Sequence, residues 1–229
     1  LGTFDSRAVV AASHGFSNGD LVDIKSVVGM TEINGNRYKV ANQTTNTFDL
    51  ANQTTGVDIN GTSFTAYDSA GEVRKGITTI TGLSHLEGAT VQIVGNGAVF
   101  PNATVTNGEV TVSSEISEAY VGLGYTTTLK PSRPEFGSPQ GITQGKPKRW
   151  NHIFVRLVNT LGITINGDQM PFRTSADLMN APPALFTGDK KVMNLGYDKD
   201  GFIEIKQEQP LDMHVVAIGG DINTGEQFT

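Results

Sequence analysis

The chain contains no cysteine, which excludes disulfides, thiolate nucleophiles and every cysteine-containing zinc site. No apolar run approaches the roughly 18 residues needed to span a bilayer, so membrane insertion by this chain is not expected. The N-terminal stretch Leu1-Gly2-Thr3-Phe4-Asp5 lacks the charge, apolar core and cleavage site of a signal peptide, and the chain reads as a piece of a larger protein. Positive charge is not in excess. Lys and Arg number 17 against 23 Asp and Glu, a formal balance of −6, which opposes non-specific association with duplex DNA or anionic membrane. Sustained helical periodicity is also missing. Only a single helical turn near Ser175–Met179, capped by Ser175, suggests itself.

Turn residues and β-formers are abundant. Glycine occurs 27 times in 229 residues, amid frequent Thr, Val, Ile and Asn. Asn-Gly pairs stand at 18–19, 34–35, 60–61, 96–97, 107–108 and 166–167, and Asp200-Gly201 adds a seventh turn pair. Both residue types tolerate positive φ, which two-residue hairpin turns require. Alternating segments flank them, such as Asp20–Ile24, Asn36–Val40, Thr90–Val94, Glu109–Val112 and Phe202–Ile205. Ile153-Phe154-Val155-Arg156-Leu157-Val158 is rich in β-branched residues and reads as a buried strand. The fold class expected is therefore all-β: a small antiparallel barrel over residues 1–75, then a larger hairpin-rich sandwich or barrel unit over 76–229. The polar stretch Tyr67–Gly76 marks the boundary. The segment Pro131–Lys148, with Pro131, Pro134, Pro139 and Pro147, reads as a long, mobile functional or linking loop. The pentapeptide Ala-Asn-Gln-Thr-Thr occurs at 41–45 and again at 51–55, suggesting two equivalent strand edges.

Chemistry-bearing motifs are sparse. His14, His85, His152 and His214 lie far apart, and no HExxH pair exists, so each reads as a surface or turn residue. No GxSxG elbow, P-loop or GxGxxG precedes a helix. Asp198-Lys199-Asp200-Gly201 imitates part of a calcium loop. Gly196 stands where an earlier oxygen ligand is needed and Gln207 where the closing Glu belongs, which leaves a plain turn. Asp and Glu are dispersed, and no two are singled out as a facing pair for glycoside hydrolysis. Lys146, Lys148, Arg149 and Trp150, followed by Arg156, form the one basic cluster. It could contact nucleic acid, though a solvated loop entering a strand accounts for it better. Asn-x-Thr sequons begin at Asn42, Asn52, Asn60 and Asn102, as chance gives in an Asn- and Thr-rich chain. No catalytic, cofactor-binding or metal-ligating residue is nominated.

Two stretches resemble known families. Ser13–Val22, then Gly29–Val40, then Thr47-Phe48-Asp49-Leu50 resemble the small β-barrel first described as an insert in ubiquitin-activating enzymes, a module that also recurs in phage tail proteins. The likeness covers residues 5–75. The barrel carries no adenylation chemistry, and without cysteine a thioester role is ruled out. Beyond it, Leu83–Val91, Gly97–Pro101, Val121–Thr127, Arg156–Gly162, Ala181–Asp189 and Gly201–Ile205 through Leu211 are similar, in the same order, to tail nozzle or tail-tubular proteins of short-tailed bacteriophages. That resemblance implies a structural virion protein without enzymatic activity or cofactor. It implies a ring, commonly hexameric, below the portal and adaptor, with other tail proteins as partners and DNA in transit through its channel. A receptor- or glycan-binding tail appendage is the alternative. Exposed aromatics in a polar cleft would favour it.

Overall fold

Alternation of apolar and polar residues produces twenty strands among the described residues. The computed structural model describes residues 4–5, 8–138, 141–175, 183–193 and 196–224. The helical turn expected near 175–179 lies outside them, apart from Ser175. The strands are β1 (Phe4–Asp5), β2 (Ala8–Val10), β3 (Leu21–Val28), β4 (Arg37–Ala41), β5 (Thr47–Asn52), β6 (Ser69–Lys75) and β7 (Ile77–Ile80). They continue as β8 (Thr90–Gly95), β9 (Ala98–Thr104), β10 (Val110–Ile116), β11 (Ala119–Gly122), β12 (Thr127–Leu129), β13 (Gly137–Ser138) and β14 (Gly141–Ile142). The last are β15 (Lys148–Thr160), β16 (Ile163–Ile165), β17 (Asp168–Gln169), β18 (Phe186–Met193), β19 (Ile205–Gln207) and β20 (Val215–Thr224). Apart from two 3-10 turns, Thr31–Ile33 and Ser84–Leu86, the described residues hold no helix. The protein is all-β, with antiparallel sheets, as its composition requires.

Three of the seven turn pairs, Asn96-Gly97, Asn107-Gly108 and Asn166-Gly167, place both residues at positive φ, as a two-residue hairpin demands. Asn34-Gly35 does not, because Asn34 has φ −68°. Its side chain instead accepts from Val27 N at 2.9 Å and donates to Val27 O at 2.8 Å. The loop between β3 and β4 is thereby longer than the dipeptide suggests.

The chain divides into two compact units, Leu1–Gly88 with Thr104–Ala119, and Ala89–Ala103 with Tyr120–Thr229. In the first, six strands pair in the order β1-β2-β5-β4-β3-β6. Val9, Val22, Ile24, Ile33, Val40, Phe48 and Leu50 form its core, each at most 2% exposed. The two Ala-Asn-Gln-Thr-Thr copies occupy equivalent places, each beginning on the last residues of a strand, β4 or β5, and running into a turn.

Residue 76 falls inside this unit, because β7 and β10 also belong to it and pair through Val110↔Ile80 and Ile116↔Ile77. Ion pairs fasten the 104–119 segment. Arg37 donates two hydrogen bonds to the Asp23 carboxylate (2.8 and 2.6 Å) and one to Glu115 O at 2.7 Å, while Ser117 Oγ donates to Asp23. Glu118 accepts from Lys25 at 2.6 Å and Arg74 at 3.2 Å. Burial alone would raise the Asp23 carboxyl, but the hydrogen bonds from Arg37 and Ser117 outweigh it and hold it below its ordinary range. A depressed folded-state value stabilises the protein above the unfolded value of about 3.9, and that stabilisation is lost as pH falls through the folded value. Asp23→Asn is therefore expected to lower the melting temperature at pH 7 and to flatten its fall below about pH 4. Thermal melts from pH 7 to pH 3 check this. Parallel curves for both proteins would contradict it.

The second unit carries the long strand β15, which is central in the sheet β18-β15-β20. Ile153, Val155 and Leu157 are fully buried and alternate with outward Phe154, Arg156 and Val158. A second sheet, β12-β19-β16-β17, contributes Ile163, Ile165 and Ile205 to the same core, so the two sheets bury one apolar layer between them. Each such side chain contributes about 1.5–3 kcal/mol by leaving water. A third sheet, β11-β8-β9, and the two-stranded β13-β14 also belong to the unit.

Candidate functional site

In the second unit an open cleft of about 580 Å³ is lined by Gln92 of β8, Tyr120 of β11, Tyr125, and the turn Gln209–His214 before β20. Its framework is held by side chains that bond backbone. Gln207 is buried, donates through Nε2 to Leu161 O and accepts from Gln209 N at 3.1 Å, which braces the turn after β19. Gln92 Nε2 donates to Glu208 O at 3.2 Å. The Gln92 amide lies so close to Gly124 that a Cβ there would come within 2.3 Å of its Cδ, so any side chain at this point would displace that amide. His214 N donates to Thr160 Oγ1 at 2.9 Å, and its Nδ1 stands 3.2 Å from Val158 O. A carbonyl only accepts, so Nδ1 carries the proton and Nε2 is the acceptor of the neutral ring.

On this frame Tyr120 is 70% exposed and Tyr125 80% exposed. The lining holds one carboxylate, Asp212, and neither Lys nor Arg. A neighbouring cleft of about 750 Å³ shares Gln209 and Leu211 and is walled by Ala98, Gly162, Phe172 and Pro183. Segments far apart in sequence, 97–99, 121–127, 161–162, 183 and 207–211, thus converge around Gln209–Leu211. No local sequence pattern announces this convergence, and none marks Tyr120, Gln92 or Asp212 as site residues.

The basic cluster is not a surface patch. Lys148 is fully buried and donates to Glu135 Oε1 at 2.8 Å, and Thr143, also fully buried, donates to Glu135 Oε2 at 3.0 Å. The Lys148 hydrogen bond holds the Glu135 carboxyl below its ordinary range. Arg149 stacks over the Tyr197 ring at 5.1 Å, Trp150 Nε1 donates to Gly201 O at 2.8 Å, and Arg156 makes two bonds to Asp189 at 2.8 and 2.9 Å. Lys146 is half-buried. The described part of the Pro131–Lys148 segment is thus closed on itself through Thr143, Glu135 and Lys148, and is tied to the rest of its unit by Arg133 with Asp200 and by the backbone bonds of Lys148 with Asp198.

The remaining motif residues do local work. His14 Nδ1 accepts from Phe16 N at 3.0 Å, and its ring packs on Phe16 and Phe48. His85 is exposed on a 3-10 turn, and His152 sits 3.3 Å from Asp221. Among the described residues no group of three His, Asp or Glu is placed to share a metal ion. Asp198 accepts from Gly201 N at 3.0 Å and exchanges two backbone bonds with Lys148, while Asp200 pairs with Arg133 at 2.9 Å, so the calcium-like sequence forms a side-chain-closed turn. Asn52 and Asn60 of the sequons likewise accept from Thr54, Thr55 and Thr62 in their own turns.

The family model of the ubiquitin-activating enzyme E1 FCCH domain matches residues 7–76, the stretch that builds β2 to β6 of the first unit. The match covers under a third of the 229-residue chain. No curated protein matches the chain. Among the described residues no helix is long and apolar enough to cross a membrane.

Proposed function

We propose that this chain is a structural, non-enzymatic part of a bacteriophage tail: a piece of a ring-forming nozzle or tail-tube protein around the DNA exit channel. The observation that carries this reading is the convergence at Gln209–Leu211. Five of the six blocks that carry the nozzle-like resemblance, distant in sequence, contribute residues to two clefts of the second unit that share Gln209 and Leu211; the block Leu83–Val91 does not. A module of the FCCH type at residues 7–76 suits a tail protein assembled from rigid β units. Its partners in this reading are copies of itself, other tail proteins and DNA in transit, and its place is the virion.

The charge arrangement supports the same reading. A channel wall that gripped DNA would slow its exit. Here Lys148 of the one basic cluster is buried against Glu135, Arg156 is paired with Asp189, and the formal balance is −6. The isolated chain is expected to bind duplex DNA no more tightly than about 10⁻⁴–10⁻⁶ M, with binding lost over a modest rise in salt. Fluorescence anisotropy across a salt series checks this. Tight binding that survives near-molar salt would contradict it.

Quantitative mass spectrometry of purified particles tests the assignment itself. The expected result is the chain in fixed copy number, six per particle for a hexameric ring. Its absence from particles that contain portal and capsid would overturn the proposal. The second reading, a glycan-binding tail module, is favoured by one feature, the exposed tyrosines beside a polar cleft.

A further inference from the structure

We infer that the Tyr120–Tyr125 cleft of the second unit binds a neutral oligosaccharide. Capture at this cleft presupposes the glycan-binding reading and does not depend on ring assembly.

Three observations define the ligand class. The first is the pair of aromatic rings. Tyr120 and Tyr125, 70% and 80% exposed, project from the end of one short segment and leave much of their ring surfaces to solvent. Exposed tyrosine surface gains by covering, and the electron-rich face of the ring attracts the weakly positive C–H bonds that line one side of a pyranose. The second is the polar complement. Gln92, Gln209, Asp212 and His214 line the same cleft and bring amide, carboxylate and imidazole groups to it, and a sugar's vicinal hydroxyls both donate and accept. Gln92 and His214 are already held by backbone bonds, so little side-chain freedom is lost on binding.

The third observation is charge. The lining contains one carboxylate and no Lys or Arg, so a sulfated, phosphorylated or sialylated glycan would meet no counter-charge and one like charge. DNA is disfavoured for the same reason. A proline-rich peptide also packs on exposed aromatic rings. It presents few donors to match the Asp212 and His214 acceptors, so the saccharide is the better fit.

The test uses the full chain. Saturation-transfer difference NMR is run with linear neutral hexasaccharides of glucose, N-acetylglucosamine and mannose, each at millimolar concentration. A sulfated hexasaccharide and a proline-rich decapeptide serve as competing classes. At least one neutral hexasaccharide is expected to bind, while the sulfated one does not. Tyr120→Ala and Tyr125→Ala are each expected to weaken binding roughly tenfold, the scale of one lost aromatic contact, and the double variant to abolish it. Tyr197→Ala, at a 58% exposed tyrosine outside this cleft, is expected to leave binding unchanged. Because both cleft tyrosines are largely exposed, the variants should retain the parent's circular dichroism and melting temperature, which separates loss of binding from loss of fold. The inference is overturned if no neutral hexasaccharide binds. It is equally overturned if binding is indifferent to both tyrosines, or if only the peptide or the sulfated glycan binds. Particles that contain the chain while no sugar binds would leave the structural reading standing and remove the cleft assignment. Sugar binding by a chain absent from particles would do the reverse.

Discussion

Phe48→Ala is expected to destabilise the first unit by about 3–5 kcal/mol, the range for truncating a fully buried phenylalanine. Phe48 is 0% exposed and sits in β5, paired with Val9 of β2. Phe16 meets it edge-on at 5.4 Å and His14 at 5.1 Å. The residue is therefore the centre of a three-ring group as well as part of the aliphatic core. Its removal leaves a cavity and also takes away the surface against which His14 and Phe16 pack. The His14 ring is further tied to the Phe16 backbone, so collapse into the void is restrained and the cost should lie toward the upper end. Phe48→Leu, which keeps most of the volume, should cost distinctly less. Urea unfolding of the two variants measures both. A loss below about 1 kcal/mol for the alanine would show that this ring group is not the core of the unit.

Gly220→Ala in β20 is expected to cost about 3 kcal/mol or more, whereas Gly219→Ala should fall within about 1 kcal/mol of the parent. Neither glycine has positive φ, so the difference comes from what a Cβ would touch. At 220 it would lie 2.2 Å from the His152 carbonyl oxygen and 3.1 Å from Ile153 Cα, both in the backbone of the neighbouring strand β15. That backbone is held by bonds to β18 on its other side and cannot withdraw without breaking the ladder. At 219 the Cβ would meet the Phe154 ring, whose outer face is 39% exposed and can rotate aside. Hydrogen exchange gives the local readout. The amides of β15 and β20 should lose protection in Gly220→Ala and keep it in Gly219→Ala. Equal behaviour of the two variants would contradict this account of the sheet.

The β15 strand shows how far the sequence could be read. The run Ile153–Val158 declares a buried strand through its β-branched residues, and the structure places one there with strict alternation. The same alternation carried backwards would put Lys148 on the outer face with Phe154 and Arg156. A bulge intervenes: Trp150 opposes Ile222 and His152 opposes Asp221, so Asn151 is an extra residue. One inserted residue reverses every side chain before it, and Lys148 turns into the interior, where Glu135 meets it. No local pattern announces a bulge, which is why a basic run looked like a solvated surface. The return of 104–119 to the first unit was hidden for a related reason. Its fasteners, such as Arg37 to Glu115 and Asp23 to Ser117, join residues 78 and 94 positions apart. Turn pairs were legible because they are local. Asn96-Gly97, Asn107-Gly108 and Asn166-Gly167 have the φ values their side chains favour; the other four pairs do not place both residues at positive φ, and at Asn34 the side chain bonds Val27 instead. The cleft lay between these extremes. Its tyrosines stand near or within a block of family likeness, but that they face solvent beside Asp212 and His214 depends on how three sheets meet.

The central claim, that the chain builds a tail ring, is tested most directly by imaging phage particles labelled with an antibody raised against it. The account predicts label confined to the tail, at the level of a ring beneath the portal and adaptor, with averaged views showing several copies around the channel axis. Label on the capsid shell, or none on intact particles of a phage that encodes the chain, would contradict it.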